Sequence, residues 1–219
     1  MAVVVFSSPG ALRAQSSFKI LTPAQTYVSY IAKDYPALLA GTLCSFTAGS
    51  AHLKLYQGYV RNANALLQRF KELEDAGKTG SPEYAELKRR FGWEFNGMRL
   101  HELYFSNLGA APLPADSALR SALAIQFGSF EAWQASFLAL SQVRGIGWAV
   151  LVYDRPAGRF HNVWLNEHDG GFPAGTTPLL VLDLFEHAYL NDYQLDRGRY
   201  AQVFWAAINW TEVQKRFIK

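Results

Sequence analysis

The sequence has a single cysteine, Cys44, among 219 residues. No internal disulfide can form and no thiolate cluster can assemble, so any tightly held metal must use histidine and carboxylate. No run approaches the roughly 20 apolar residues of a membrane-spanning helix, and no membrane contact is expected. An excess of one charge is also missing. The 21 Lys and Arg against 18 Asp and Glu leave +3, enough to favour a small anion but too weak and dispersed for a nucleic-acid surface. The densest basic cluster, Lys88-Arg89-Arg90, falls in a helical stretch and reads as a solvated face. There is no internal repeat and no low-complexity segment. Residues 1–33 contain no acid, and Met-Ala-Val-Val-Val-Phe at 1–6 opens without a basic residue ahead of its apolar run. That is a poor secretory signal; a transit peptide stays open, and the cytoplasm is the expected location.

What is present is core-forming material. Half the residues are apolar and 15% aromatic, ample for one large domain or two small ones sharing a core. Residues 1–50 are irregular in pattern, with Pro9, Pro23 and Pro36, and read as an N-terminal extension. From His52 a helical period takes over: Leu55, Tyr56, Tyr59, Val60, Ala63, Leu66, Leu67, Phe70 and Leu73 recur at three- and four-residue steps. Ser81 and Pro82 have the chemistry of an N-cap and first turn. The next helix carries Tyr84, Leu87, Phe91, Phe95, Met98, His101, Phe105 and Leu108 on one stripe. The two predict an antiparallel hairpin over residues 51–112. A third helical stretch, about Ser117 to Val143, breaks near Gly128. Residues 148–153, 160–165 and 176–183 then read as strands, the first two joined by a turn at 154–158, and helices resume around 185–193 and 200–208. The class is α+β: a helical hairpin followed, over 113–219, by an α/β domain with a small, mainly antiparallel three-stranded sheet.

Five histidines are present, at 52, 101, 161, 168 and 187. His101 takes a slot on an apolar stripe, so its ring points inward, as a ligand or as a hydrogen-bonded core histidine. His52 opens the first helix on the face of Tyr56 and Tyr59, where a capping role is the plain alternative. His161 and His168 fall in the second strand and the loop after it and read as exposed. Asp183-Leu-Phe-Glu-His187 is sharper: an acid closes an apolar strand and a histidine follows as the chain enters a helix. A carboxylate buried there needs a cation or strong donors; capping of the helix is the alternative. Histidine with carboxylate suits iron, manganese or zinc rather than calcium.

The stretch Asp183-Leu-Phe-Glu-His-Ala-Tyr189, followed by Asp192-Tyr193, resembles the C-terminal signature of the iron/manganese superoxide dismutases, Asp-x-Trp-Glu-His-Ala-Tyr. Further landmarks stand in order: His52 through Tyr59-Val60, His101-Glu-Leu-Tyr-Phe105, Gly128-Ser-Phe-Glu131, Gly145-Ile-Gly-Trp148, Pro178-Leu-Leu180 and Phe204-Trp205 through Asn209-Trp210. The resemblance covers roughly residues 50–215. It implies one iron or manganese ion per chain, held by His52, His101, Asp183 and His187, with solvent in a fifth position. It also implies superoxide as substrate, Tyr59 in a proton relay, and a homodimer in which Glu186 reaches His187 of the partner subunit.

Several departures qualify it. His52 to Tyr59 is one residue shorter than the family's usual step; seven residues at roughly 100° each leave two side chains about 20° apart on a regular helix, whereas eight need a bulge. The glutamine that bonds metal-bound solvent in the family is expected at one of two places, occupied here by Gly97 and Arg144. Arg144, if it points inward, would put a fixed cation and a pure donor beside the metal; if outward, water fills the space. Gln142 could substitute only with a register shift. Two tryptophans of the pattern are Phe105 and Phe185, which predicts an apolar pocket without their indole donors. A polar pair expected across the dimer reads Leu55 and Leu190, an apolar version of that contact. Besides an active dismutase, a metal-binding relative with weak or altered redox activity and a non-catalytic structural relative stay open.

Overall fold

The computed structural model describes residues 28–41 and 43–218; the reading of residues 1–27 as an irregular extension lies outside them. A short helix α1 (Pro36–Leu39) precedes α2 (Phe46–Asp75) and α3 (Pro82–Ser106), the two arms of the expected hairpin. Ser45 caps α2 by accepting from the Ala48 amide, and Ser81 caps α3 from the Tyr84 amide with Pro82 in the first turn. α2 begins six residues before His52, because Thr47 to Ala51 carry no apolar period to mark a helix. Its first turn is fixed by close approach instead: a Cβ on Gly49 would stand 2.9 Å from the Leu38 carbonyl.

The remainder follows as α4 (Ala118–Phe127), α5 (Phe130–Ala139), a 3-10 turn (Leu140–Gln142), β1 (Gly147–Asp154), β2 (Arg159–Asn166), β3 (Thr177–Asp183), α6 (Glu186–Tyr193), α7 (Arg197–Ala206) and α8 (Trp210–Ile218). The sheet is antiparallel throughout, in the order β2-β1-β3, so the α+β expectation holds. β1 is the central strand and is buried from Gly147 to Val152. α8 escaped the sequence reading because it is short and its apolar residues are separated by polar and charged ones. Trp210 and Val213 anchor it, and the Arg216 guanidinium donates to the carbonyls of Leu179 and Leu103, to Asn107 Oδ1 and to Ser106 Oγ. Among the described residues no helix is long and apolar enough to cross a membrane.

Register places the site. Trp148 on β1 pairs with Asp183 on β3, which brings the end of the buried sheet against the inner faces of α2 and α3. Chain segment 28–33 is strapped over the outside of the hairpin: Asn64 exchanges hydrogen bonds with the Tyr30 backbone, and the Lys33 amide donates to Tyr56 Oη.

Candidate metal centre

Four side chains from four elements converge where the hairpin meets the sheet: His52 of α2, His101 of α3, Asp183 at the end of β3 and His187 of α6. One potential ligand atom from each lies within 4.8 Å of the others. Asp183 Oδ2 is 3.1 Å from His52 Nε2, 3.2 Å from His187 Nε2 and 3.7 Å from His101 Nε2, while its Oδ1 accepts from the Phe185 amide at 2.9 Å. His52, His101 and Asp183 are buried; His187 is partly open.

The chemistry of this donor set can be tested against a metal. His101 Nδ1 sits 2.6 Å from the Gly97 carbonyl, an acceptor only, so Nδ1 carries the hydrogen and Nε2 is bare. That Nε2 is buried without a hydrogen-bond partner and faces a carboxylate oxygen. Two lone pairs pointed at one another in the interior call for a cation between them. Three imidazoles and one carboxylate are a set for a first-row transition metal, so the residues fit.

Electrostatics favour the ligating forms. Burial alone would raise Asp183; the neighbouring His187 and the hydrogen bonds from His187 and His52 outweigh it and hold the carboxyl well below the usual carboxylate range. Burial lowers His52 despite its bond to Asp183, and lowers His101 well below the ordinary histidine value. At neutral pH these two imidazoles are neutral and the carboxylate is charged, as metal binding requires.

His168 corrects the sequence reading. Expected at the surface, it is fully buried. The β1–β2 register sets Gly147 opposite Asn166, and the loop then turns inward: Glu167 takes a positive φ of 52° and its amide bonds the Ile146 carbonyl. His168 Nδ1 accepts from the Trp148 indole at 3.1 Å, and its Nε2 lies 2.7 Å from Tyr59 Oη. Indole can only donate, so Nδ1 is bare, Nε2 carries the hydrogen, and His168 donates to the tyrosine. The phenolic hydrogen of Tyr59 is thereby left free. Burial brings His168 down to about 4 and pushes Tyr59 up to about 12, so one stays neutral and the other protonated.

A stability prediction follows for the metal-free protein. The folded-state pKa of His168 is depressed, so its contribution is complete above the ordinary value of about 6.5 and is lost as pH falls towards about 4. That window is worth on the order of 3 kcal/mol. Urea midpoints at pH 7 and pH 4.5 should therefore separate more in the native sequence than in His168→Gln. Equal separations would take His168 out of the acid sensitivity.

The other expected positions divide. Tyr59 faces the cluster, its ring centroid 5.2 Å from that of His101, on an α2 that is regular throughout. Arg144 does not reach the site. It is exposed in the turn before β1, and Gln142, also exposed, bonds Ser141 Oγ. A side chain at Gly97 has no room, since a Cβ there would stand 2.5 Å from Cδ1 of Tyr59. Phe105 and Phe185 form apolar walls, Phe185 stacked on both His168 and His187. An indole donor is nonetheless present, supplied by Trp148. Leu55, Leu190 and Glu186 are exposed on α2 and α6.

Residues 115–216 match the family described as iron/manganese superoxide dismutases, C-terminal domain. The chain is similar to superoxide dismutase [Mn] 2 of Haloferax volcanii, 36% identical over 166 residues, which is 74% of this chain and 80% of the relative. It is similar to superoxide dismutase [Fe] of Cupriavidus metallidurans, 37% identical over 74% of this chain and 82% of the relative. It also resembles superoxide dismutase [Mn/Fe] of Propionibacterium freudenreichii subsp. shermanii, 32% identical over 76% and 84%.

Proposed function

The chain belongs to the iron/manganese superoxide dismutase family, and from that membership and its site we infer an oxidoreductase that converts superoxide to dioxygen and hydrogen peroxide. The observation that carries this reading is the convergence of His52, His101, Asp183 and His187 around one point, with a bare, unpartnered His101 Nε2. Their three Nε2 atoms and Asp183 Oδ2 would hold one iron or manganese ion. When bound, that ion supplies one-electron chemistry between its divalent and trivalent states.

The chain's own residues handle protons and charge. Asp183 contributes one negative charge, which favours the higher oxidation state of whatever ion is held. Hydrogen peroxide needs two protons that superoxide does not bring. Tyr59 offers one from a hydroxyl whose acceptor side is already occupied by His168, so its hydrogen is free for the substrate side. His168 is fixed in turn by Trp148. Trp148, Phe105 and Phe185 surround the imidazoles with rings and exclude bulk water, which strengthens every charge interaction inside. A weakly active metalloprotein was motivated by Arg144 and an absent glutamine; Arg144 lies outside the site, and His168 provides the neutral polar bridge, so turnover is the favoured reading.

The test is superoxide consumption by purified protein loaded separately with iron and with manganese, with metal content measured on the same samples. Rapid turnover with either ion is the expected result. Stoichiometric metal with negligible turnover in both would sink the dismutase reading.

We also propose a cytoplasmic homodimer. Leu55 and Leu190, each 42% exposed, with Glu186 beside the partly open His187, are the surface it would cover. Leu190→Glu should convert a dimer in analytical ultracentrifugation to monomer; a native chain that sediments as monomer at micromolar concentration removes the proposal.

A further inference from the structure

A line of tyrosines leads from the metal ligands to the surface. Tyr104, on α3, lies with its ring 5.4 Å from that of His52. Its hydroxyl is 2.9 Å from that of Tyr200 on α7. The Tyr200 ring is 5.5 Å from Tyr193 at the end of α6. Tyr193 is only half-buried, donates to the Leu43 carbonyl, and lines a surface depression with Ser45, Asp192 and Arg199. Tyr104 and Tyr200 are both fully buried. Packing does not call for this pair. Two facing hydroxyls carry two hydrogens but share one bond, and phenylalanine at both positions would fill the same space without polar atoms to satisfy.

We propose that Tyr104, Tyr200 and Tyr193 form a one-electron relay that drains oxidising equivalents from the metal site to the surface. The proposal rests on the dismutase reading, whose product, hydrogen peroxide, is the oxidant. Phenols yield an electron far more readily than the phenylalanine rings of Phe105 and Phe185 that also touch the ligands. In the step, the O–O bond of hydrogen peroxide breaks as it takes two electrons, one from divalent iron, which becomes trivalent, and one from a phenol. The phenol's own proton and one proton from solvent complete two waters. Within the buried pair a hydrogen atom crosses the 2.9 Å bond, so Tyr104 is restored as Tyr200 becomes the phenoxyl. Tyr193 then gives its electron to Tyr200 and its proton to solvent in the depression, and solvent returns one proton to the Tyr200 oxygen, so Tyr104 and Tyr200 both end as neutral phenols and only Tyr193 is left oxidised. Trp148 feeds the same route, since its ring touches His101 and lies 6.3 Å from Tyr104.

The experiment adds hydrogen peroxide to the reduced, iron-loaded protein. Freeze-quenched electron paramagnetic resonance detects the radical, and spin-trap adducts are located by peptide mass spectrometry. The native chain should give a phenoxyl signal with adducts on Tyr193. Tyr200→Phe should lose the Tyr193 adduct and gain oxidation at His52, His101 or Trp148. Tyr193→Phe, nearer the surface, should retain the radical on Tyr200; it serves if the buried variant does not hold iron. Adducts confined to Trp148 or Tyr59 in the native chain, or Tyr193 labelling unchanged in Tyr200→Phe, overturn the relay. Superoxide turnover and iron content on the same samples keep the two readings apart: intact turnover without adducts on this line removes the relay alone, and bound iron without turnover removes the dismutase reading.

Discussion

Asp183→Asn should empty the metal centre while leaving the fold standing. Asparagine has nearly the same shape, and its oxygen can still accept from the Phe185 amide that Oδ1 of Asp183 holds at 2.9 Å. What it removes is the buried negative charge on Oδ2, which lies within 3.7 Å of all three Nε2 atoms. A trivalent ion would then face three neutral imidazoles and an amide in a water-poor pocket, where uncompensated charge is costly. Changes in the groups that merely orient ligands already cost about 10–100-fold in affinity or activity; removing the charge of the one carboxylate that the described residues bring into the cluster should exceed about 100-fold in metal affinity. The measurement is metal content after dialysis against a chelator, together with superoxide turnover and the far-ultraviolet spectrum. A variant that keeps stoichiometric metal through dialysis would show that the three histidines suffice and that Asp183 is not the anchor.

Much of this centre was legible in the sequence because its parts are local. The acid closing an apolar strand and the histidine four residues on share one turn of chain, and His101 stands out as a polar residue on an apolar stripe. The Ser81-Pro82 cap and the three strands are likewise read from a few neighbouring residues. His168 was not legible, because nothing near it in the chain says it is buried. Its inward placement depends on the β1–β2 register, on the bond from the Glu167 amide to Ile146 and on the Trp148 indole, and these come together only in the folded sheet. Arg144 failed for the complementary reason. Its distance from Trp148 along the chain is short, but the Gly145 and Gly147 turn directs it to solvent before β1 enters the core. The start of α2 was missed because packing against α1, not periodicity, fixes Thr47 to Ala51.

Gly97→Ala should slow turnover by moving one ring rather than by losing the metal. Alanine is the better helix former by about 1 kcal/mol, so α3 itself gains. The added methyl, however, would stand 2.5 Å from Cδ1 and 2.7 Å from Cε1 of Tyr59, well inside contact distance, and the ring must swing away. Overpacking of this kind costs about 1–3 kcal/mol, which a chain with so large an aromatic core can absorb. The swing breaks the 2.7 Å bond to His168 and withdraws the free phenolic hydrogen from the cluster. His101 is held through the Gly97 carbonyl, a backbone group that alanine also has, so the ligands stay in place. Proton delivery by a positioned side chain is worth about 100–10,000-fold, and part of that survives through water. Turnover should therefore fall by about 10–100-fold with metal content unchanged. Tyr59→Phe, which removes the hydroxyl without displacing the ring, should reproduce the loss. If metal falls in step with activity in Gly97→Ala but not in Tyr59→Phe, the methyl acts through His101, and the narrow contact between Gly97 and Tyr59 has to be read as support for a ligand rather than for the proton donor.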